Sequence, residues 1–186
     1  MKEIEILMEV KSTKDDALKA LVQFDSQGIK KTLDIYFYDP LRADLQPDEH
    51  GRLKNCLRLR QKEGKNSMAY KVDHFEGDNW SHSDEHETGF DDFEIMARIM
   101  EQLGFKELVR IDNEKHIFTT SEYEIVLEDV KELGLFLEVE KLHQIGDDKI
   151  AETKDEIRNF LKGLTVEFGE EQNVGKPELM LRKRGQ

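Results

Sequence analysis

Apolar and polar residues alternate along most of the chain with the two-residue period of strands that bury one face. Ile4, Ile6, Met8 and Val10 fall on one side of the first segment, and Glu3, Glu5, Leu7, Glu9 and Lys11 on the other. Ser12 followed three residues on by Asp15 predicts an N-cap, and Ala17, Leu18, Leu21 and Phe24 recur at helical spacing, so a helix ending near Gly28 is expected. Next come a strand over 31–38, a polar excursion over 39–51 that contains Pro40 and Pro47 and is expected to be a mobile loop, and a strand over 55–62. Turns over 63–66 and 76–79 set off strands over 67–74 and 80–88, which makes an antiparallel meander.

Asp91 and Asp92 favour the start of a second helix, with Phe93, Met96, Ile99, Met100 and Leu103 on its buried stripe and Gly104 as its stop. Strands are then expected over 107–112, 115–119, 123–130 and 135–142, the last two joined by a turn over 131–134. A third helix over 147–162 carries Ile150, Ile157, Phe160 and Leu161. About eight strands and three helices predict an α+β fold built on one large antiparallel sheet. Strands with one charged face suit a sheet curled so that charge lines its inside and helices cover its outside, or an open sheet whose charged face meets water.

Composition narrows the possibilities. A length of 186 residues predicts one domain spanning 1–186. A net charge of −13 argues against general nucleic-acid binding, which draws its affinity from Lys and Arg on phosphates. No run approaches 18 apolar residues, and MKEIEILMEV has neither signal-peptide nor transit-peptide character, so a cytoplasmic protein without membrane contact is expected. The one cysteine, Cys56, is read as a structural strand position, which leaves no disulfide and no Cys-built metal site.

Three Glu-x-Glu pairs, Glu3/Glu5, Glu85/Glu87 and Glu138/Glu140, each project both carboxylates to one side of a predicted strand. Arg58, Arg60 and Lys62 share a strand face in the same way, and Lys71 lies on the next strand. Each element alone is an ordinary solvated strand face. Together, carboxylates matching Mg²⁺ or Mn²⁺ and bases matching phosphate oxygens predict a site for a metal–nucleotide or metal–polyphosphate complex. His74, His82 and His86 lie near one hairpin and His50, His116 and His143 are scattered, so all six are read as surface or packing residues. The run Tyr36, Phe37, Tyr38 is assigned to packing, an aromatic at a cavity end being able to contact a base or thiazole-like group.

Read in order, the motifs Glu3-Ile4-Glu5, Asp34-Ile35-Tyr36-Phe37, Leu57-Arg58-Leu59-Arg60, Tyr70-Lys71, Asp84-Glu85-His86-Glu87, the basic segment 110–118, Leu127-Glu128-Asp129-Val130 and residues 133–140 follow a family order. The chain in this respect resembles the CYTH domain, named for class IV adenylyl cyclases and thiamine triphosphatases and also called the triphosphate tunnel metalloenzymes. The resemblance implies an eight-stranded antiparallel barrel, open as a tunnel, with helices packed outside. It implies that Glu3, Glu5, Glu138 and Glu140, with Glu85, Glu87 and Glu128 as further candidates, hold Mg²⁺ or Mn²⁺. Arg58, Arg60 and Lys71 would grip a triphosphate, joined by Lys115 and Arg110 at the segment where the family's Lys-x-Arg is replaced by Asn113 and Lys115. Leu7 stands where the family has a lysine, and Lys11 on the same face is the expected stand-in, although four residues along a strand is roughly 13 Å. Lys176, Arg182 and Lys183 could border a tunnel mouth. The reactions implied are the conversion of ATP to cyclic AMP and pyrophosphate, or hydrolysis of tripolyphosphate, thiamine triphosphate or a nucleoside triphosphate. A triphosphate-binding protein without turnover is the third possibility. No side chain is assigned as a catalytic acid or base, and monomer and homodimer are both left open.

Overall fold

A computed structural model describes residues 2–77, 79–143 and 146–185, together with the backbone but not the side chains of Lys2 and Asp147. Asp78 of the expected turn over 76–79, and Met1 and Gln186 at the ends of the expected domain, lie outside the described residues. The strands are β1 (Lys2–Glu3), β2 (Glu5–Val10), β3 (Asp25–Tyr38), β4 (Asn55–Lys62), β5 (Lys65–Glu76), β6 (Asn79–Phe90), β7 (Lys106–Thr119), β8 (Tyr123–Val130), β9 (Gly134–Lys141) and β10 (Phe168–Gln172). The helices are α1 (Lys14–Leu21), α2 (Phe93–Gln102), α3 (Ile150–Lys162) and α4 (Lys176–Arg184).

The ladder runs β1-β6-β5-β4-β3-β7-β8-β9-β2-β10, with every pair antiparallel. Its two ends belong to one extended N-terminal run interrupted at Ile4: Glu3 pairs with Ser83 of β6, whereas Glu5 pairs with Glu140 of β9. That run bonds both ends of the sheet and curls it into an eight-membered ring. The seam to β6 is only two residues long, and β10 takes the remaining edge of β2, pairing Phe168 with Val10 and Gln172 with Leu7.

Strand parity sorts the side chains. Outward, Ile4, Ile6 and Val10 pack with Ala17 and Leu21 of α1 and Ile157 and Leu161 of α3. Ile35, Phe37, Leu57 and Leu59 pack with Phe93 and Met100 of α2. Inward, one end of the ring is apolar: Leu7, Tyr36, Val109, Ile111, Val130 and Phe136 meet Met180 and Leu181 of α4, which stoppers the barrel from inside.

Several expectations are corrected. Thr13, not Ser12, caps α1, because its hydroxyl reaches the Asp16 amide at 3.2 Å; the Ser12 hydroxyl instead accepts from Glu167 N. The helix stops at Leu21, and Gly28 lies instead in β3, paired with Ile117 beside a bulge at Gln27, where its φ of +92° suits glycine. The expected strands over 107–112 and 115–119 are one strand, β7, continuous through Asn113 and Glu114 because the whole length pairs with β3. The polar excursion is held by Leu45, the last residue of a 3-10 turn over Ala43–Leu45, buried against the α2 side of the core. Ile99 and Leu103 of α2 are exposed, as the sheet covers only the Phe93 and Met100 edge of that helix. Strand β10 and helix α4 were not anticipated.

The packing predicts that Met180→Ala, which empties the inner plug, lowers unfolding stability by ~2–5 kcal/mol in urea melts. Leu103→Ala, at a position 69% exposed, should change it by less than ~0.5 kcal/mol.

Candidate functional site

Above the plug the ring encloses a cavity of ≈ 890 Å³, lined by the acids Glu3, Glu5, Glu85, Glu87, Glu138 and Glu140 and by the cations Arg58, Arg60, Lys62, Lys71, Lys115 and Lys176. Cross-strand register explains the convergence. Lys71 pairs with Glu85, Leu7 with Glu138, Glu5 with Glu140 and Lys115 with Glu128, so charged side chains of alternate residues meet on the inner face.

Two clusters result. In the first, Lys71 Nζ lies 2.5 Å from Glu3 and 2.9 Å from Glu85, while Arg58 donates to Glu85 at 3.0 Å and to Glu87 at the rim at 3.1 Å. In the second, Glu128, fully buried, receives Lys115 at 2.7 Å, Lys176 at 2.8 Å and the Asn113 amide at 2.8 Å. Lys176 also reaches Glu138 at 2.5 Å. Arg60 forms a bidentate pair with Asp34, both bonds 2.7 Å.

The acids titrate unequally. Burial, then a hydrogen bond shared with Glu85, pushes Glu3 up to about 9 despite Lys71. On Glu85 burial acts the same way, but that hydrogen bond and the charges of Lys71 and Arg58 hold it down to about 2, so the shared proton resides on Glu3. Burial and the neighbouring Glu138 push Glu5 up to about 7; burial, Glu5, Glu138 and Glu124 push Glu140 up to about 8. Glu128 is held well below the usual carboxylate range, the burial penalty being outweighed by Lys115 and Lys176. Burial likewise opposes the charges of Lys71 and Lys176, yet the surrounding glutamates keep both firmly protonated.

These shifts test the fit of a metal. Glu5 and Glu140 have less positive charge around them than they need, whereas, despite burial, Lys176 holds the neighbouring Glu138 below the usual carboxylate range; the all-oxygen donor set of the three matches a hard cation such as Mg²⁺ or Mn²⁺. Glu128 is committed to two lysines, which makes it an anchor for those cations. The residues present therefore fit the group.

Ten of the thirteen candidate residues line this cavity and Glu128 lies in its wall. Arg110 and Lys11 do not reach it. Arg110 has the opposite parity to Lys115 on β7, stands exposed and pairs with Glu107 at 2.8 Å. Lys11 lies beyond the Leu7 plug, exposed and 2.6 Å from Glu9. The cation missing at Leu7 comes instead from Lys176: residue 7 is the cross-strand partner of Glu138, and the Lys176 ammonium sits on that carboxylate. The sequence marks Lys176 only as a possible rim residue, because α4 is nine residues long and weakly amphipathic. Its signals were Pro177 just inside a helix start at Gly175, basic residues in the last turn and Gly185 beyond it. Gly175, Lys176, Pro177 and Glu178 all line the cavity, so the N-terminus of α4 faces it without a side-chain cap, an arrangement that favours anions.

The CYTH domain family model matches residues 1–170, and the chain belongs to that family. A Methanocaldococcus jannaschii protein named "Putative adenylate cyclase MJ0240" is 33% identical over 168 residues, which cover 87% of this chain and 90% of that one. The solved structure of the PH1819 protein from Pyrococcus horikoshii superposes with a TM-score of 0.82 at 24% identity, over 98% of this chain and 99% of the other. A Hippeastrum protein described as a putative adenylyl cyclase with a dominant triphosphatase activity superposes at 0.65 and 17% identity, over 99% and 96%. The two structural likenesses show the fold.

The raised acids give a signed pH dependence. Above about pH 5 the metal-free fold keeps protons that an unfolded chain, with carboxyls near 4.5, has released: on Glu5 up to about pH 7, on Glu140 up to about pH 8 and on Glu3 beyond that. The unfolded state then binds fewer protons, so stability falls as pH rises; Glu85 and Glu128, depressed below 4.5, contribute evenly across this window. Melting midpoints in EDTA should drop from pH 5 to pH 8, and Mn²⁺ should flatten the slope. A midpoint that climbs over that range in EDTA contradicts the electrostatic reading.

Proposed function

We propose that this CYTH domain protein, acting through residues 1–186 as one unit, is a metal-dependent triphosphate enzyme of the cytoplasm. Its best-supported reaction is the conversion of ATP to cyclic AMP and pyrophosphate. The observation that carries the proposal is the lining of a single cavity by acids of β1, β2, β6 and β9 together with six cations of β4, β5, β7 and α4, at a volume suited to a nucleotide. The name of the 33% identical relative supports the choice of reaction. Trp80 on the same lining offers aromatic surface for a base and is braced by the Lys154 ammonium 4.3 Å from its ring centroid.

In the reaction proposed, the ribose 3′-oxygen bonds to the α-phosphorus as the bond from that phosphorus to the β-bridging oxygen breaks, and pyrophosphate leaves. Arg58, Arg60, Lys71, Lys115 and Lys176 would hold the phosphoryl oxygens and stabilise the charge that grows on the leaving group. Glu5, Glu138 and Glu140 would hold Mg²⁺ or Mn²⁺, which when bound lowers the pKa of the attacking hydroxyl and neutralises phosphate charge. The Glu3–Glu85 pair fixes Lys71, and Glu128 fixes Lys115 and Lys176, so the cations are oriented before substrate arrives.

Incubation with ATP and Mg²⁺ or Mn²⁺, resolved by chromatography, should give cyclic AMP and pyrophosphate. Orthophosphate plus a shortened chain from ATP, thiamine triphosphate or tripolyphosphate would identify a hydrolase instead, and saturable triphosphate binding without product would identify a binding protein. Lys176→Met should slow turnover by about 10²-fold or more, and adding Leu7→Lys should recover part of it by returning an ammonium to Glu138. Equal activity in Lys176→Met and the parent would remove Lys176 from the site.

A further inference from the structure

The β5–β6 hairpin carries a second constellation on its other face. Lys71 and Glu85 point into the cavity, while His74, His82 and Asp84 occupy alternate positions that face outward. His74 and His82 are direct cross-strand partners with rings stacked at 4.4 Å, and His74 Nε2 lies 2.9 Å from Asp84 Oδ2. One ligand atom from each of the three residues falls within 4.8 Å of the others. We infer that these three residues form a second cation site, separate from the tunnel, that takes a borderline transition metal ion of the Zn²⁺, Co²⁺ or Ni²⁺ class.

The donor set decides the class. Two imidazoles and one carboxylate suit first-row transition ions, whereas Mg²⁺ and Mn²⁺ favour the all-oxygen tunnel. Bond lengths of ~2.0–2.2 Å at such ions place adjacent ligand atoms ~3 Å apart, and the His74–Asp84 separation of 2.9 Å already meets that requirement. The rings of His74 and His82 are stacked, so binding one ion requires both imidazoles to turn out of the stack toward the Asp84 carboxylate, a rearrangement their partial exposure allows.

Local backbone structure supports the site. The pairing slips between His74 and Phe75, so that Phe75 opposes Trp80 and Ser81 is the extra residue; such a bulge re-aims the side chains beside it. The Ser81 hydroxyl lies 3.3 Å from His82 Nδ1, the outer contact that orients a ligating imidazole through its second nitrogen. His74 and Asp84 are about half exposed, 43% and 46% for their side chains, which leaves room for water to complete the coordination sphere. A metal here would cross-link the strands that present Lys71 and Glu85 on the inner side.

The test is calorimetric titration of metal-free full-length protein with Zn²⁺ alone, on the parent, His82→Ala, His74→Gln and the tunnel variant Glu138→Gln. His74→Gln keeps a side chain able to hydrogen-bond Asp84, so a purely structural His74–Asp84 contact survives it and a metal site does not. The parent and Glu138→Gln should share one Zn²⁺-binding event that weakens by about 10-fold or more in both histidine variants, and zinc X-ray absorption of the parent should show imidazole scattering. The inference is overturned if the parent fails to bind Zn²⁺, if the histidine variants titrate like the parent, or if Glu138→Gln alone removes the event.

Discussion

Burying many charges inside a closed sheet is the constraint on which the rest of the molecule depends. A carboxylate taken out of water alone costs several kcal/mol, so each inner-face acid needs a cation, a proton or a metal. The chain uses the first two. Lys71, Arg58, Lys115 and Lys176 are placed by cross-strand register against Glu3, Glu85, Glu128 and Glu138, and Glu3 holds a proton shared with Glu85. Glu5 and Glu140, repelled by each other and by Glu138, remain under-compensated, and in the proposed function that is where a divalent ion would be held. Ring closure by the N-terminal run follows the same logic, because Glu3 must reach the β6 side and Glu5 the β9 side for both clusters to form.

Much of this was legible in the sequence because strand parity is exact: once a segment alternates, every second residue shares a face, and Glu138 with Glu140 or Arg58 with Arg60 follow without knowledge of pairing. The errors arose where parity is interrupted or does not apply. Arg110 was expected inside by motif position, yet it has the opposite parity to Lys115 on the one continuous strand that carries both. Lys11 shares parity with Glu5 but lies past the apolar plug, information that only the third dimension holds. Helix α4 was invisible because a plug inside a barrel is wetted by charge at one end and by apolar walls at the other, so its sequence lacks the stripe of a surface helix.

The inner plug also resolves the oddity of Leu7. An apolar residue there lets α4 pack through Met180 and Leu181, and the helix returns the lost ammonium through Lys176. The positive charge at Glu138 thus comes from a helix rather than from strand position 7. The hairpin β5–β6 shows strand parity used twice, with Lys71 and Glu85 on the inner face and His74, His82 and Asp84 on the other.

The central claim is that acids and bases of one tunnel divide a metal–triphosphate complex between them. A crystal structure with a nonhydrolysable ATP analogue and Mn²⁺, recorded at a wavelength where manganese scatters anomalously, tests it most directly. The account predicts manganese density among Glu5, Glu138 and Glu140 and phosphate oxygens on Arg58, Lys71, Lys115 and Lys176. Phosphates bound outside the ring, or a tunnel whose ion pairs stay closed around an empty centre at saturating ligand, would contradict it.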